Sequence, residues 1–587
     1  MLRPLPLVLL ALWLLPAGRL GAQTHELRGW WVDTFNAALR TPAEVAQLVA
    51  NARTANFNAL FVEVRKRGDA YYDSRFEPKA ADVSPATFDP LAELLRLAHD
   101  TSGGKPRIEV HAWIVTYNIW NSRAGLPPQP AHPYRRHPEW LTQDNTGVQW
   151  DGANYAFDPA HPAVQDHTFN VALDLVTRYA VDGLHFDYVR YGGREWGYHP
   201  VAVERFRRIY NRPTTPGVED LLWKQFRRDQ VTALVRRVYL AAAAVKPAVK
   251  ISAATITFAP GITATAQWTT SAAYTDVLQD WRAWMEEGIL DLNVPMAYFR
   301  QPQNGADWSA WSTFAKNHRY RRHVALGVAT YLNTPADSLR QLRSTRTAAT
   351  QGPAHGMVLY SYAAPASDTT TRSRFMAALT GGLPGDTNPA LFPAPAQVPP
   401  MPWKSAPTNG LLLARLAGSD GVLVTLAGSL NRTVRTDANG WFGAVEVPVG
   451  EVFCRATLGE RRWLARADIA PGVVAQPILV PADEDADGDG FTNEEELVFG
   501  TETQTSNSRP RLGLTPGPDG NQLTLTPAQP RREYSLWQAQ SLAPDATWEM
   551  VARNVTGTGA ANGPVTFPPL STPGATAFFR VQVRPFP

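Results

Sequence analysis

One pattern recurs through the first part of the chain: a short apolar run, a polar loop, and then a longer stretch with apolar residues at helical spacing. The apolar runs predict strands at 27–33, 57–65, 108–114, 183–187, 249–255, 290–294, 323–328 and 356–361. Eight strand-then-helix units between residues 26 and 380 predict an α/β fold, a (β/α)8 TIM barrel. The longest insertion, 115–161, follows the third strand.

Alternation along these strands sorts their side chains into an apolar and a more polar face. Because the outer helices of a barrel need apolar partners, we expect the polar face to point inward, with its last members at the mouth. That inward set comprises Trp31, Asp33, Glu63, Arg65, Glu109, His111, Trp113, His185, Asp187, Asp291 and Asn293. Glu109 and Asp291 come early in their strands, which favours a buried network for these two.

The stretch 181–191 organises this part of the chain. Asp187 stands at the end of its predicted strand, and Arg190 follows within a glycine-containing loop. In parallel barrels the chemistry takes place where the strands end. A single aspartate there could also cap a turn or pair with Arg190, but polar residues converging from several strands favour an active site.

Beyond the barrel the pattern changes to short alternating runs. Residues 381–408 are rich in proline and predict a linker. Residues 409–482 and 508–587 each predict a small β-sandwich. The first sandwich is interpreted as a structural spacer, and the second as either an attachment domain or a stalk.

Between the two sandwiches, residues 483–503 contain the sequence DADGDGFTNEEE. Its spacing matches a calcium loop, with oxygen ligands at the first, third, fifth, seventh, ninth and twelfth positions. These ligands would be Asp485, Asp487, Asp489, the carbonyl of Phe491, Asn493 and Glu496. The sequence therefore predicts one structural Ca²⁺, the alternative being a solvated acidic loop. No helix pair of EF-hand length flanks it, so it looks like the isolated loops of dockerin-like or thrombospondin-type-3-like linkers.

The N-terminus and the composition indicate an exported protein. Residues 1–22 read as a signal peptide, with Arg3, an apolar run and small residues before the predicted cleavage site. A net charge of +3 gives no electrostatic case for nucleic acid. The single cysteine, Cys454, excludes an internal disulfide. We expect a secreted or periplasmic bacterial protein with no membrane span after signal cleavage.

Six sequence blocks occur in the order found in one known family. They are LRGWWV (27–32), VRKRGDAYY (64–72), VHAW (110–113), HPEWL (137–141), VDGLHFDYVRY (181–191) and NVPMAY (293–298). Residues 26–380 resemble the glycosyl hydrolase-like 10 family of bacterial (β/α)8 proteins, which includes an exported enzyme that cleaves peptidoglycan glycan strands stripped of their peptides. The resemblance implies a glycoside hydrolase acting on an amino-sugar polymer. Where the family commonly has an Asp-Asp pair, this chain has Asp187-Tyr188.

Glycoside hydrolysis usually requires two carboxyl groups. We assign one role to Asp187 and the second to Glu63, with Glu195 and Asp33 as alternatives for the second. Retaining, inverting and substrate-assisted mechanisms all remain open. Candidate substrate-binding residues are Asp33, Arg65, His111, Trp113, Tyr117, Asn118, Arg190, Tyr191, Asn293 and Tyr298. No cofactor is expected for catalysis.

Two other functions compete with this prediction. A non-catalytic carbohydrate-binding or cell-surface protein would keep the barrel as a scaffold, since fold alone does not specify chemistry. A deacetylase or other metal hydrolase would need a cluster of metal ligands, yet His111 and His185 are the only inward histidines on the strands considered, and no metal motif accompanies them. In the preferred interpretation the partner is a polysaccharide or peptidoglycan glycan, and the oligomeric state is left open.

Overall fold

The computed structural model describes residues 25–518, 520–529, 532–556, 563–570 and 577–585. The predicted signal peptide, 1–22, lies outside them. The first part of the chain forms a closed barrel of eight parallel strands, each paired with its neighbours in sequence order, which confirms the predicted fold class. The strands are β1 (Leu27–Val32), β2 (Ala59–Arg65), β3 (Glu109–Val115), β4 (Gly183–Asp187), β5 (Lys250–Thr255), β6 (Leu292–Ala297), β7 (His323–Ala329) and β8 (Gly356–Tyr360).

Helices surround the barrel and begin at well-formed caps. Thr41, Asp89 and Thr334 each accept a backbone N–H of the first turn, and each precedes a proline at the first helical position. The helices of the barrel region are Pro42–Thr54, Pro90–Ala98, Pro133–Arg136, Pro162–Arg178, Pro200–Tyr210, Leu221–Val245, Ala272–Thr275, Trp281–Glu287, Gln301–Asn317, Pro335–Thr345 and Arg372–Gly381.

The barrel has two apolar layers. One lies between the strands and the helices, and includes Leu60, Val62 and Leu184. The other fills the barrel interior, where Trp31 packs with Phe61 and residues of β6. Gly327 makes room for the indole, because a Cβ on it would lie 2.7 Å from the Trp31 ring.

Part of the proline-rich stretch 381–408 packs under the N-terminal end of the barrel. Phe392 is buried against Phe57, at a ring-centroid distance of 5.6 Å. Trp403, in the short helix Pro402–Ser405, donates from Nε1 to Asp291 Oδ1 at 2.7 Å. Asp291 also accepts from the backbone N–H of Ile251 at 2.7 Å and is fully buried, as expected of a network residue.

All-β sheets follow the barrel. The first region has a three-stranded and a five-stranded sheet around one core, and the second has two three-stranded sheets around another. Their strands are Gly410–Arg415, Leu423–Gly428, Arg432–Arg435, Trp441–Val447, Gly450–Leu458, Arg461–Ile469, Val474–Ala475, Val480–Pro481, Arg511–Gly517, Gly520–Ala528, Arg532–Ala539, Glu549–Thr556, Gly563–Thr566 and Phe578–Pro585. Within the described ranges, no helix is both long and apolar enough to cross a bilayer.

Candidate active site at the barrel mouth

A cavity of about 600 Å³ opens where the barrel strands end. Carboxyl groups, arginines and aromatic rings line it together. These residues are Trp31, Asp33, Phe35, Glu63, Arg67, Trp113, Asp187, Tyr188, Arg190, Phe258, Tyr298, Phe299 and Tyr360. The structure therefore brings six of the predicted site residues into one space: Asp33, Glu63, Trp113, Asp187, Arg190 and Tyr298.

Asp187 is the last residue of β4 and has 6% of its surface exposed. Its Oδ1 accepts the backbone N–H of Tyr188 at 2.7 Å. Burial raises the pKa of Asp187 to about 6, although Arg190, the Tyr188 N–H and the Trp113 indole act in the opposite direction. Near neutral pH this carboxyl is thus mostly ionised but can still take up a proton.

Glu63 lies on β2 and is 1% exposed. Its Oε2 accepts both the backbone N–H of Thr34, at 2.8 Å, and the Thr34 hydroxyl, at 2.7 Å. Burial raises the pKa of Glu63 to about 7, and the charges of Asp33 and Asp187 add to this effect. Glu63 therefore keeps its proton over a higher pH range than Asp187 does.

Asp33 directly follows β1 and supplies a third carboxyl group. Its Oδ1 accepts from the Asn36 side chain at 2.8 Å and from the Asn36 backbone N–H at 3.2 Å. Glu195, the other alternative partner for Asp187, is instead half-exposed in the loop after β4 and pairs with Arg194 at 3.5 Å. Glu195 does not line the cavity.

Two arginines face the cavity. The Arg190 guanidinium lies over the Tyr188 ring, 4.6 Å from its centroid, and the Arg67 guanidinium lies over Phe35 at 4.5 Å. The Nε and Nη1 atoms of Arg67 are buried and have no hydrogen-bond partner within the described part of the chain. Buried N–H groups without an acceptor are costly, so these two atoms suit an acceptor that enters the cavity.

At the bottom of the cavity, the Trp31 indole is hydrogen-bonded to the His185 imidazole. Trp31 Nε1 donates to His185 Nε2 at 3.0 Å, which places the imidazole proton on Nδ1, facing the Ser252 hydroxyl at 2.9 Å. Burial and the nearby His111 hold the pKa of His185 well below its usual range. His185 is therefore a neutral positioning group beneath the site.

His111 was predicted to bind substrate, and this is corrected. It is fully buried below His185, stacks on Phe61 with centroids 4.3 Å apart, and contacts Glu109 at 3.2 Å. Space for its ring comes from Gly183, where a Cβ would lie 2.2 Å from His111 Nδ1. His111 is therefore a packing residue of the barrel interior.

Arg65 was also predicted to face substrate, and this too is corrected. The pairing of β2 with β3 shifts register between Glu63 and Arg65, so alternation does not carry past Glu63. Arg65 forms two hydrogen bonds of 2.7 Å to the carboxylate of Glu77, and His167 Nε2 lies 2.9 Å from that carboxylate. This buried cluster ties the loop after β2 to a neighbouring helix.

The inward assignment of Asn293 is wrong because β6 has the opposite phase. Leu292 and Val294 pack inside the barrel, whereas Asn293 Oδ1 accepts from the Thr255 hydroxyl at 2.6 Å. Both faces of a parallel barrel strand are buried, so polarity is a weak guide to its phase.

The remaining corrections concern the loops. Tyr117 and Tyr191 are buried away from the cavity, and Tyr191 packs near the Arg227 guanidinium at 5.7 Å. Asn118 belongs to a short strand, Asn118–Trp120, which pairs with Tyr155–Ala156 inside the insertion after β3. None of these three side chains lines the cavity.

The sequence interpretation missed several lining residues. Tyr360 ends β8 and stacks on Tyr298 with centroids 5.5 Å apart, and the end-of-strand rule could have identified it. Phe35 and Phe258 are each 47% exposed on loops at the mouth, where no periodic signal applies. Arg67 lies in one of the recognised sequence blocks but was not assigned a role.

The predicted calcium ligands also converge. Carboxylate oxygens of Asp485, Asp487 and Asp489 lie within 4.8 Å of one another. Burial, followed by the charges of Asp487 and Asp489, raises the pKa of Glu496 to about 7, so Glu496 lies within their field. Within the described ranges, this acidic trio is the only such group of potential metal ligands, and the barrel mouth provides none.

The closed parallel barrel places this chain among the (β/α)8 proteins, with buried carboxyl groups at the barrel mouth. The family model described as glycosyl hydrolase-like 10 matches residues 26–336, more than half of the chain, and the protein belongs to that family.

Curated relatives cover the same region. The chain is 25% identical over 313 residues to glycosyl hydrolase YngK of Bacillus subtilis, covering 49% of this chain and 55% of that protein. It is 25% identical over 304 residues to glycosyl hydrolase DigH of Escherichia coli, covering 47% of this chain and 62% of that protein. The matches thus span little more than half the length of these relatives.

Among solved structures, the glycoside hydrolase domain of PgaB (BpsB) from Bordetella bronchiseptica matches with a TM-score of 0.42 and 14% identity, covering 60% of this chain and 96% of that one. The catalytic domain of β-amylase from Paenibacillus polymyxa matches with a TM-score of 0.42 and 11% identity, covering 60% and 98%. At this level, neither match bears on the function.

Proposed function

We propose that the protein is an exported glycoside hydrolase that cleaves an amino-sugar polymer, with denuded peptidoglycan glycan strands as the first substrate to test. The observation that carries this proposal is the pair of buried carboxyl groups, Glu63 and Asp187, in one cavity of a glycosyl hydrolase-like barrel. Their pKa values are raised to about 7 and about 6, respectively. One acid that keeps its proton and one carboxylate that loses it first is the division of roles that glycoside hydrolysis requires.

In this proposal Glu63 gives its proton to the glycosidic oxygen as the bond from that oxygen to the anomeric carbon breaks. Asp187 acts on the other side of the sugar, either by taking a proton from the water that adds to the anomeric carbon or by attacking that carbon itself. The first anomer released, observed by NMR, distinguishes these two roles. Net reaction adds one water across the bond.

The arginines support an acidic glycan as substrate. Arg67 has buried N–H groups without an acceptor among the described residues, and it faces the same cavity as the carboxyl pair. Glycan strands stripped of their peptides carry free carboxylates on the muramic residues, and a guanidinium suits such a group. The exposed rings of Phe35 and Phe258 provide flat apolar surfaces at the entrance for sugar rings.

The experiment that tests this function is product analysis of the full chain on denuded glycan strands, with chitin and neutral plant polysaccharides alongside. Wild type should release soluble sugars, and Asp187→Asn should not. Glu195→Gln is the matched control, since Glu195 is a carboxylate near the mouth that does not line the cavity. Activity that survives in Asp187→Asn would refute the assignment.

A second candidate function is glycan binding without cleavage. It is favoured by one observation: where the family commonly has a second aspartate, Tyr188 lines the cavity and adopts a positive φ of 49°. A folded wild-type protein that binds the strands, as measured by co-sedimentation, but releases no sugar from any polymer would support this function over hydrolysis.

A further inference from the structure

The loop between the two β regions contains oxygen atoms that lack partners. The Oδ2 atoms of Asp487 and Asp489, Oδ1 of Asn493 and Oε2 of Glu496 are buried with no hydrogen-bond donor in the described part of the chain. Glu496 and Asn493 are both 0% exposed. Buried carboxylate oxygens without a donor are strongly unfavourable, so a cluster of such atoms suits a bound cation.

Among the residues that the structure describes, no lysine or arginine pairs with Asp487, Asp489 or Glu496. Within the described ranges, the arginines of this neighbourhood pair elsewhere: Arg461 contacts Glu484 at 3.1 Å, and Arg462 contacts Glu494 at 2.8 Å. The unpaired atoms are all oxygens, from carboxylates and one amide. Hard oxygen donors without nitrogen or sulfur favour Ca²⁺ over Zn²⁺.

We propose that the 485–496 loop binds one Ca²⁺ and that this ion locks the junction between the two β regions. The ligands would be the side chains of Asp485, Asp487, Asp489, Asn493 and Glu496, with the Phe491 carbonyl. The ion supplies the positive charge that the buried oxygens lack.

The role as a lock follows from the helix Asn493–Phe499, which begins within the loop and contacts both β regions. Asn493 Nδ2 donates to the carbonyl of Pro481, in the last short strand of the first region, at 2.8 Å. At its other end, Phe499 is buried in the core of the second region, with Tyr534. Because Glu496 sits between these anchors, an ion that holds Glu496 also fixes the helix to both.

A direct contact between the regions runs beside this helix. Arg532, at the start of a second-region strand, donates from Nε to the Val498 carbonyl at 2.9 Å and from Nη2 to Glu451 at 2.7 Å. Glu451 belongs to the strand Gly450–Leu458 of the first region. Displacement of the helix would therefore disturb this contact as well.

Calorimetry on the full chain, first stripped with EDTA, tests the proposal. Titration with Ca²⁺ should give one site per chain, with a dissociation constant in the range of roughly 10⁻⁷ to 10⁻³ M found for such loops. Mg²⁺ should bind more weakly, because it resists giving up its water for an all-protein cage. Saturating Ca²⁺ should raise the unfolding temperature of the second region and slow proteolysis near residue 500.

Glu496→Gln should weaken Ca²⁺ binding by more than the roughly 10- to 100-fold that loss of an outer-shell partner costs. Without Ca²⁺, the unfolding temperature of this variant should equal or exceed that of wild type, because one unpaired charge has been removed; a merely misfolded variant would fall below it. Asp487→Asn provides a second variant, and Glu502→Gln, an exposed carboxylate outside the loop, is the matched control.

Two results would overturn calcium binding by the loop. The first is a wild-type chain that shows neither heat nor stabilisation on addition of Ca²⁺. The second is equal Ca²⁺ affinity in wild type, Glu496→Gln and Asp487→Asn, since binding would then lie outside the loop. Binding without any change in proteolysis near residue 500 would overturn the role as a lock.

Discussion

Glu63 and Asp187 face one cavity from different strands, and the charge of Asp187 is one of the causes that raise the pKa of Glu63. Because the interaction between two charges is mutual, ionisation of either carboxyl group favours the protonated form of the other. This relationship connects two positions 124 residues apart, between which lie the β3 strand and the longest insertion. It leads to the pH and mutational predictions that follow.

Asp187→Asn should abolish most of the activity with little change in fold. Amides and carboxylates have nearly the same shape, so the contact with the Tyr188 N–H can persist. A carboxylate that acts as a base or acid contributes roughly 10²- to 10⁴-fold to the rate. The measurement is the rate of reducing-end release, with circular dichroism to show that the variant is folded.

The pH dependence of cleavage should be bell-shaped. Activity should rise as Asp187 ionises, with its pKa of about 6, and fall as Glu63 loses its proton, with its pKa of about 7. Glu63→Gln should remove the proton donor and reduce the rate at every pH. If Asp33→Asn changed the alkaline limb while Glu63→Gln did not, Asp33 would be the partner instead.

Stability should also depend on pH through Glu63. Its pKa rises from 4.5 to about 7 on folding, so between these values the folded chain holds a proton that the unfolded chain has released. The contribution is fully present below the unfolded value and is lost as pH rises toward 7, by an amount on the order of 3 kcal/mol. Urea denaturation at pH 5 and pH 8 measures this loss. In Glu63→Gln the loss should shrink, and an unchanged difference would rule out Glu63 as its source.

Arg67→Gln should discriminate between acidic and neutral glycans. If Arg67 pairs with a substrate carboxylate, kcat/KM on denuded glycan strands should fall by roughly 10-fold or more, in line with a charge-assisted hydrogen bond. Arg67 also lowers the pKa of Asp187, so each variant is compared at its own pH optimum, where any activity on chitin should change less than activity on denuded glycan strands. Arg194→Gln, a half-exposed arginine in a nearby loop that does not line the cavity, is the control. Equal losses on both polymers would argue against charge recognition.

Arg65→Met should destabilise the barrel by roughly 3–5 kcal/mol, because it leaves the Glu77 carboxylate buried without its main partner. The double variant Arg65→Met, Glu77→Met should be more stable than this single variant, since no unpaired charge remains. Thermal unfolding of wild type, the single variant and the double variant tests whether Arg65 has this structural role. If Arg65→Met were as stable as wild type but bound substrate more weakly, Arg65 would be a substrate-binding residue after all.

The sequence was sufficient to predict the barrel because its strands are short apolar runs separated by capped helices. It also placed Asp187 correctly at the end of a strand, since the pattern around β4 has an unambiguous phase. The phase of β6 was predicted wrongly, because both faces of that strand are buried and Asp291 belongs to a network below the barrel.

Other parts of the site depend on features that periodicity does not contain. A register shift in β2 separates Glu63 from Arg65, although they are two residues apart. Arg67 and Phe35 face the cavity from loops whose paths are set by tertiary packing. Such positions are identified either from a three-dimensional structure or from a motif with a known role.

The packing of Phe392 and Trp403 beneath the barrel bears on how the protein can be divided into fragments. A fragment that stops at residue 380 would uncover Phe57 and remove one donor from Asp291. The helix Leu221–Val245 would also lose its contact with the first β region, where Gly443 sits against Leu240. The smallest unit to express as an autonomous barrel therefore extends through the first sandwich, and a shorter one would expose apolar surface that promotes aggregation.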